Sequence, residues 1–299
     1  MSSNRLVATL VANPARPVLS DALVNAAARA LGQETERRVL ARGVAADIFL
    51  EGDKATAETA IRVALDHEPV DVIVQPVATR AKRLFLADMD STMIGQECID
   101  ELADFVGLKA EVSAITERAM RGEIAFEPAL RERIALLKGL PVEVVDEIIK
   151  TRITLTPGGR ELVRTMRANG AYAGLVSGGF TLFTGPIGTA IGFDEHRSNR
   201  LVVADGKLEG EVEEPILGRE AKLATLLELR ERLGLAAHET LAVGDGANDL
   251  AMLSEAGLGV AFRAKPAVAA AAHARIDHAD LTALLYAQGY RAEDIVRGE

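Results

Sequence analysis

The sequence predicts an α/β protein: a parallel sheet with helices on both faces, preceded by a smaller α+β unit. Three observations predict it. From Leu84 onward, short apolar runs alternate with longer segments of helical periodicity. The first 80 residues instead read strand, helix, strand, strand, helix, strand. Finally, three of the later apolar runs end in polar or glycine-rich residues, where sheets of this kind bind their ligands.

In the first part, "RLVATLVA" (5–12) reads as a strand and "SDALVNAAARAL" as a helix opened by Ser20, a good N-cap. "TERRVLA" and "VAADIFLE" follow as two strands across Gly43, then "KATAETAIRVALDH" as a helix and "VDVIVQP" as the last strand. The βαββαβ order matches the split-βαβ, ferredoxin-like motif. "ATRAKR", Ala78 to Arg83, is expected to be a linker, with its three basic residues forming a solvated hinge in preference to an anion site.

In the second part, Leu84 to Ala87 is a strand destined for the interior. The interval after it, "QECIDELADFVGLKAEVSAITERAM", "EPALRERIALLKG" and "PVEVVDEIIK", carries helical periodicity with Gly and Pro breaks. "AYAGLVS", "TLAVGD" and "LGVAF" are further strands, each followed by a helix-like segment. "NRLVVADGKLEGEVEE" reads as a hairpin around Asp205-Gly206.

Composition narrows the function classes. With 299 residues, 48% hydrophobic and 26% charged, the chain is long and apolar enough for one large domain or two modest ones. A formal net charge of −10 argues against nucleic acid as a partner. The single cysteine, Cys98, excludes an intramolecular disulfide and fits a reducing compartment. Ala168 to Phe193 lacks charge, but its seven glycines and Pro186 suit a strand and tight loops better than a membrane span. The opening "MSSNRLVATLVANPARP" is too briefly apolar, and broken by Pro14, to be a secretory signal. A soluble cytoplasmic protein is expected.

The strand ends carry the chemistry. "LFLADMDST" closes a buried strand with Asp88 and Asp90, two like charges one residue apart that are costly to bury unless something compensates them. The second end is "SGGF" from Ser177 and the third "GDGAND" from Gly244. Brought to one sheet edge, they gather Asp88, Asp90, Asp245 and Asp249, a set of hard oxygen donors that suits Mg²⁺.

"DMDST", "VSGGF" and "VGDGANDLAML" together resemble the motifs of haloacid dehalogenase-like phosphatases. With "ECIDELADFVG" and "FEPALRERIALLKGLP", the stretch from Leu84 to about Leu285 is similar to the phosphoserine phosphatase family. The resemblance implies a Rossmann-like parallel sheet with an inserted helical cap at about residues 95–155. The phosphatase unit would be residues 81–299, and residues 1–80 would form a ferredoxin-like unit resembling ACT-like domains. That unit could bind an amino acid or serve assembly, including a homodimer through its sheet edge.

The resemblance also implies roles. Asp88 would attack phosphorus and form an aspartyl-phosphate, and Asp90 would act as acid and then base. Mg²⁺ would be held by the Asp88 carboxylate, the Asp90 backbone carbonyl and Asp245, with Asp249 orienting this shell. Ser177, Gly178 and Lys222 would contact the phosphoryl oxygens, and Asn248 would be a further substrate-binding residue. A tight turn would equally explain the glycines, and pairing with Glu220 or a neighbouring acid would explain Lys222, which stands 23 residues ahead of Asp245.

Arg133 recurs with Phe126, Leu130 and Leu137 on an apolar helix face and needs an anion there. A structural salt bridge or the substrate carboxylate would supply it. Glu97 would bind the substrate ammonium, and Met120 and Phe126 would shield the site or fill the cap's own core. His67, His196, His238, His273 and His278 show no metal-ligand spacing and are expected at the surface, and Cys98 reads as a small buried hydrophobe. The activity implied is hydrolysis of O-phospho-L-serine, the last step of serine biosynthesis. A phosphotransferase of the same fold, passing phosphate to an alcohol such as homoserine, or a non-catalytic amino-acid sensor are the alternatives.

Overall fold

The computed structural model describes residues 5–120 and 123–298, and the side chain of Met120 falls outside the described part. The first elements are β1 (Arg5–Ala12), α1 (Asp21–Ala30), β2 (Glu36–Ala41), β3 (Ala45–Glu51), α2 (Lys54–Ala64) and β4 (Val70–Pro76). Ser20 caps α1 through Leu23 N, and Asp53 caps α2 through Thr56 N at 2.8 Å. The strands form an antiparallel sheet in the order β2-β3-β1-β4, as in ferredoxin-like folds. One face packs Leu10, Ile48 and Val72 against Ala27 and Ile61 of the two helices.

The other face of this sheet is buried too. Val11, Leu40, Ala45 and Ile73 join the core of the larger unit. Here the expected solvated hinge is overturned. Arg80 is only 8% exposed: it pairs with Asp47 at 2.9 Å and donates to the carbonyls of Tyr286 and Ala287. Lys82 is 6% exposed and donates to the carbonyls of Thr79 and His238. Burial is tolerable because each cation finds oxygen partners, most of them far along the chain where no local window shows them. Asp71 adds to the same junction, its buried carboxylate accepting from the backbone N–H of Asp277, His278 and Ala279.

The larger unit opens with β5 (Leu84–Ala87), followed by α3 (Cys98–Phe105), α4 (Lys109–Met120), α5 (Phe126–Ala135) and α6 (Glu143–Thr151). Then come α7 (Gly159–Ala168), β6 (Tyr172–Phe180), α8 (Thr181–Ile191) and β7 (Glu195–Asn199). A hairpin of β8 (Leu201–Ala204) and β9 (Lys207–Val212) turns at Asp205 and Gly206, both with positive φ, as a two-residue hairpin loop requires. The chain ends through α9 (Arg219–Arg232), β10 (Thr240–Gly244), α10 (Leu250–Glu255), β11 (Leu258–Phe262), α11 (Pro266–Ala271), β12 (Ala274–Ile276) and α12 (Ala283–Gln288).

Six strands form a parallel sheet in the order β12-β11-β10-β5-β6-β7. The order places β10, β5 and β6 side by side, so their carboxyl ends meet where the connections diverge. The helices α3 to α6 leave and rejoin the body through a narrow neck: Ile94 bridges Leu155, Gly95 N donates to Thr154 O, and Gln96 bonds Thr154. The hairpin packs on these helices, with Gly139 N donating to Leu208 O and Leu208 N to Leu140 O. Among the described residues, no helix is long and apolar enough to cross a membrane.

Candidate active site

Asp88 follows β5 directly, and its N–H continues the ladder by donating to Val243 O at 3.0 Å. The strand thus holds the carboxylate beside the end of β10, where Asp245 follows. Asp249 reaches the same place from the start of α10. Carboxylate oxygens of Asp88, Asp245 and Asp249 lie within 4.8 Å of one another. Gly244 makes this approach possible, because a Cβ there would stand 2.3 Å from Asp249 Cγ.

Lys222, in the first turn of α9, is buried between two of these acids. Its Nζ lies 2.7 Å from Asp88 Oδ1 and 2.6 Å from Asp249 Oδ1. It is not a surface lysine, and Glu220 is not its partner. Burial works against the ammonium, but Asp88 and Asp249 overcome it and hold the group protonated. Asp249 is fixed further by the Gly246 N–H at 3.0 Å, and Asp245 by Thr92 Oγ1 at 3.3 Å.

One lysine does not neutralise this cluster. Burial, then the negative charge of Asp249, raises the Asp88 carboxyl well above the usual carboxylate range despite Lys222. The same two causes push Asp245 up to about 6. Hard oxygen donors with uncompensated charge fit a small divalent cation. The three carboxylates that could hold it are those of Asp88, Asp245 and Asp249.

The Asp90 carboxylate is not in that group. It turns toward the helical layer, where Oδ1 accepts from Cys98 N at 3.2 Å and Oδ2 faces Ser177 Oγ at 3.5 Å. Burial raises its pKa, against the bonds from Cys98. The two neighbouring carboxyls are thus both raised but differ in setting: Asp88 is tied to a lysine among acids, and Asp90 is aimed into the cleft beside Ser177.

Ser177 is fully buried at the end of β6, and its Oγ accepts from Gly179 N at 2.9 Å. A cleft of about 180 Å³ opens above, bounded by Asp88, Asp90, Gly178, Asp245 and Asn248 below and by Glu97, Phe126 and Arg133 above. Arg133 donates to Ala129 O and Thr116 Oγ1 and makes no ion pair among the described residues. Glu97 accepts from Ser91 Oγ at 2.7 Å. Part of its side chain meets solvent at the cleft mouth. Protein packed on the cleft side and the charge of Asp90 push its carboxyl up to about 7. Phe126 is 43% exposed and so does not fill the core of its own helical layer: its ring lies over Gly178 and Gly218. Met120, assigned a similar position from sequence, has its side chain outside the described part. All five histidines are exposed, and Cys98 is buried.

Two polar contributors carried no sequence signal. Thr92 lies inside "DMDST", but nothing in its spacing distinguishes a residue that braces Asp245. Asn199 lies in a polar strand with no recognisable pattern, yet it is buried beside Gly178.

The profile of the haloacid dehalogenase-like hydrolases matches residues 85–254, and the chain belongs to that family. Among its relatives is a phosphoserine phosphatase from Polaromonas sp., 49% identical over 208 residues, covering 68% of this chain and 88% of the relative. A haloacid dehalogenase family hydrolase from Salmonella enterica serovar Typhi superposes with a TM-score of 0.86 at 28% identity, over 96% of this chain and 99% of its own. A phosphoserine phosphatase solved as a phospho-aspartyl intermediate analogue matches at TM-score 0.63 and 43% identity, over 69% of this chain and 98% of its own.

Proposed function

We propose that this chain is a Mg²⁺-dependent phosphatase that hydrolyses O-phospho-L-serine to L-serine and phosphate, the last step of serine biosynthesis. The observation that carries the reading is the convergence of Asp88, Asp90, Ser177 and Lys222 beneath helices bearing Glu97 and Arg133. The similarity to phosphoserine phosphatases, one solved as a phospho-aspartyl analogue, supports it. The division into a ferredoxin-like unit (1–80) and a phosphatase unit (81–299) with a cap at about 95–155 is part of the same reading.

Arg133, without an ion-pair partner among the described residues, takes the substrate carboxylate, and Glu97 takes the ammonium. Ser177, the Gly178 backbone, Lys222 and Asn248 hold the phosphoryl oxygens. Asp88 attacks phosphorus as the bond to the serine oxygen breaks, and Asp90, aimed into the cleft beside Ser177, gives that oxygen its proton, a role that the upward shift of its pKa by burial favours. Asp90 then takes a proton from water, which attacks the aspartyl-phosphate and frees Asp88 and phosphate. Mg²⁺, when held by Asp88, Asp245 and the Asp90 carbonyl with Asp249 behind, supplies charge neutralisation for the phosphoryl group. Phe126 and the cap exclude bulk water.

The test is phosphate release from phosphoserine, phosphothreonine and sugar phosphates, with and without Mg²⁺. Phosphoserine with Mg²⁺ should be the preferred combination, and Asp88→Asn should reduce its turnover by about 10⁴ or more. Full turnover in Asp88→Asn, or no preference for phosphoserine, would refute the reading.

A further inference from the structure

The phosphate-binding end of β6 is a break in its ladder. Val176 pairs with Arg197 and Phe180 with Asn199, so Ser177, Gly178 and Gly179 stand opposite Ser198 alone. A bulge of this kind re-aims the backbone but leaves polar groups without strand partners. The Gly178 carbonyl is one of them, and Asn199 satisfies it: Nδ2 donates to Gly178 O at 2.8 Å.

Asn199 is 2% exposed and has a second set of bonds. Oδ1 accepts from Leu217 N at 2.7 Å, and Nδ2 also donates to Leu217 O at 3.2 Å. The side-chain amide thus pairs with Leu217 as a strand peptide would. Leu217 directly precedes Gly218, the N-cap of α9, whose first turn carries Lys222. One buried amide therefore holds both the "SGG" backbone and the entry to the lysine helix.

We propose that Asn199 is a positioning residue for phosphate binding. Gly178 C=O and Gly179 N–H belong to one planar peptide. Asn199 grips its carbonyl while its N–H donates to Ser177 Oγ at 2.9 Å. With that lone pair used, the Ser177 proton is directed toward the cleft, where Asp90 Oδ2 lies 3.5 Å away. The chain of bonds runs from the sheet edge to the acid. This inference rests on reading Ser177, Gly178 and Lys222 as phosphate contacts.

Asn199→Asp keeps the acceptor for Leu217 N–H but cannot donate to either carbonyl, and Asn199→Ala loses both functions. In each variant kcat/KM for p-nitrophenyl phosphate should fall, and the inhibition constant of inorganic phosphate should rise, by about 10- to 100-fold. The loss with phosphoserine should be the same, since the two substrates share only the phosphoryl group. Ser198→Ala, on the same strand as Asn199, removes a bond to Thr184 of α8 and should leave these constants unchanged. Folded Asn199 variants with wild-type constants would overturn the proposal. Should the variants not fold, hydrogen exchange in the wild-type protein decides. Slow exchange of the Gly179 and Leu217 amides supports the clamp, and exchange at the rate of exposed loops refutes it. A wild-type protein that turns over p-nitrophenyl phosphate but not phosphoserine would fail the functional reading alone and leave this test intact.

Discussion

Glu97 faces the cleft from the side of the helical layer, and under the proposed function its charge would link pH to substrate capture. Its carboxyl, pushed up to about 7, is ionised above that pH and gains a proton below it. A protonated Glu97 no longer attracts the substrate ammonium. KM for phosphoserine should therefore rise as pH falls from 8 to 6, by up to about tenfold. Glu97→Gln should show a high KM that is flat over the same range. Steady-state kinetics on both proteins checks this, and an unaltered pH profile in the variant would remove Glu97 from that role. At this scale the acidic strand ends were legible, because Asp88, Asp90, Asp245 and Asp249 stand in short strings after obvious strands. Glu97 was not legible from its own spacing: nothing in its helical phase points it into the cleft, and resemblance alone singled it out.

The elements that carry the site are held by tight junctions. Gly158, which opens α7 just beyond the neck of the helical layer, has φ +81, and a Cβ there would stand 2.6 Å from Thr282 N. Gly158→Ala should destabilise the protein by roughly 2–4 kcal/mol, read as a lower denaturant midpoint, because strain and overlap add. Most elements were legible at this scale. β1, β4 and β5 coincide with runs read as strands, and the Asp205-Gly206 hairpin follows from its turn residues. β7 and β12 were not read as strands. β7, "EHRSN", lies at the sheet edge and is largely polar, so it has no apolar period to betray it.

The whole molecule is one structure across its two sheets because a buried polar junction joins them. Arg80→Ala would leave Asp47, which is fully buried, facing Thr9 without its cation. A loss of roughly 3–5 kcal/mol is expected in urea unfolding, and Arg80→Lys should recover only part of it. A metal should also act on the molecule as a whole. Its ligands must be ionised, and Asp245 holds its proton up to about pH 6. In the metal-free protein, protons bound by the native cluster but not by the unfolded chain make stability fall as pH rises from about 4 to about 6. Mg²⁺ competes with those protons. The Tm gain on adding Mg²⁺ should therefore be larger at pH 7.5 than at pH 5.5, and an equal gain at both would place the ion elsewhere.

By itself, the sequence determined most of the order of strands and helices, the acidic and glycine-rich strand ends, and the family those strings resemble. These are encoded locally, in periodicity and in short runs of residues. Only the tertiary structure decided that Lys222 lies buried between Asp88 and Asp249, that Arg80 locks the two units together, and that Asn199 clamps Gly178 to Leu217. Each of those depends on partners distant in the chain, and a charge or an amide acquires its meaning only when folding has removed water and chosen its neighbours.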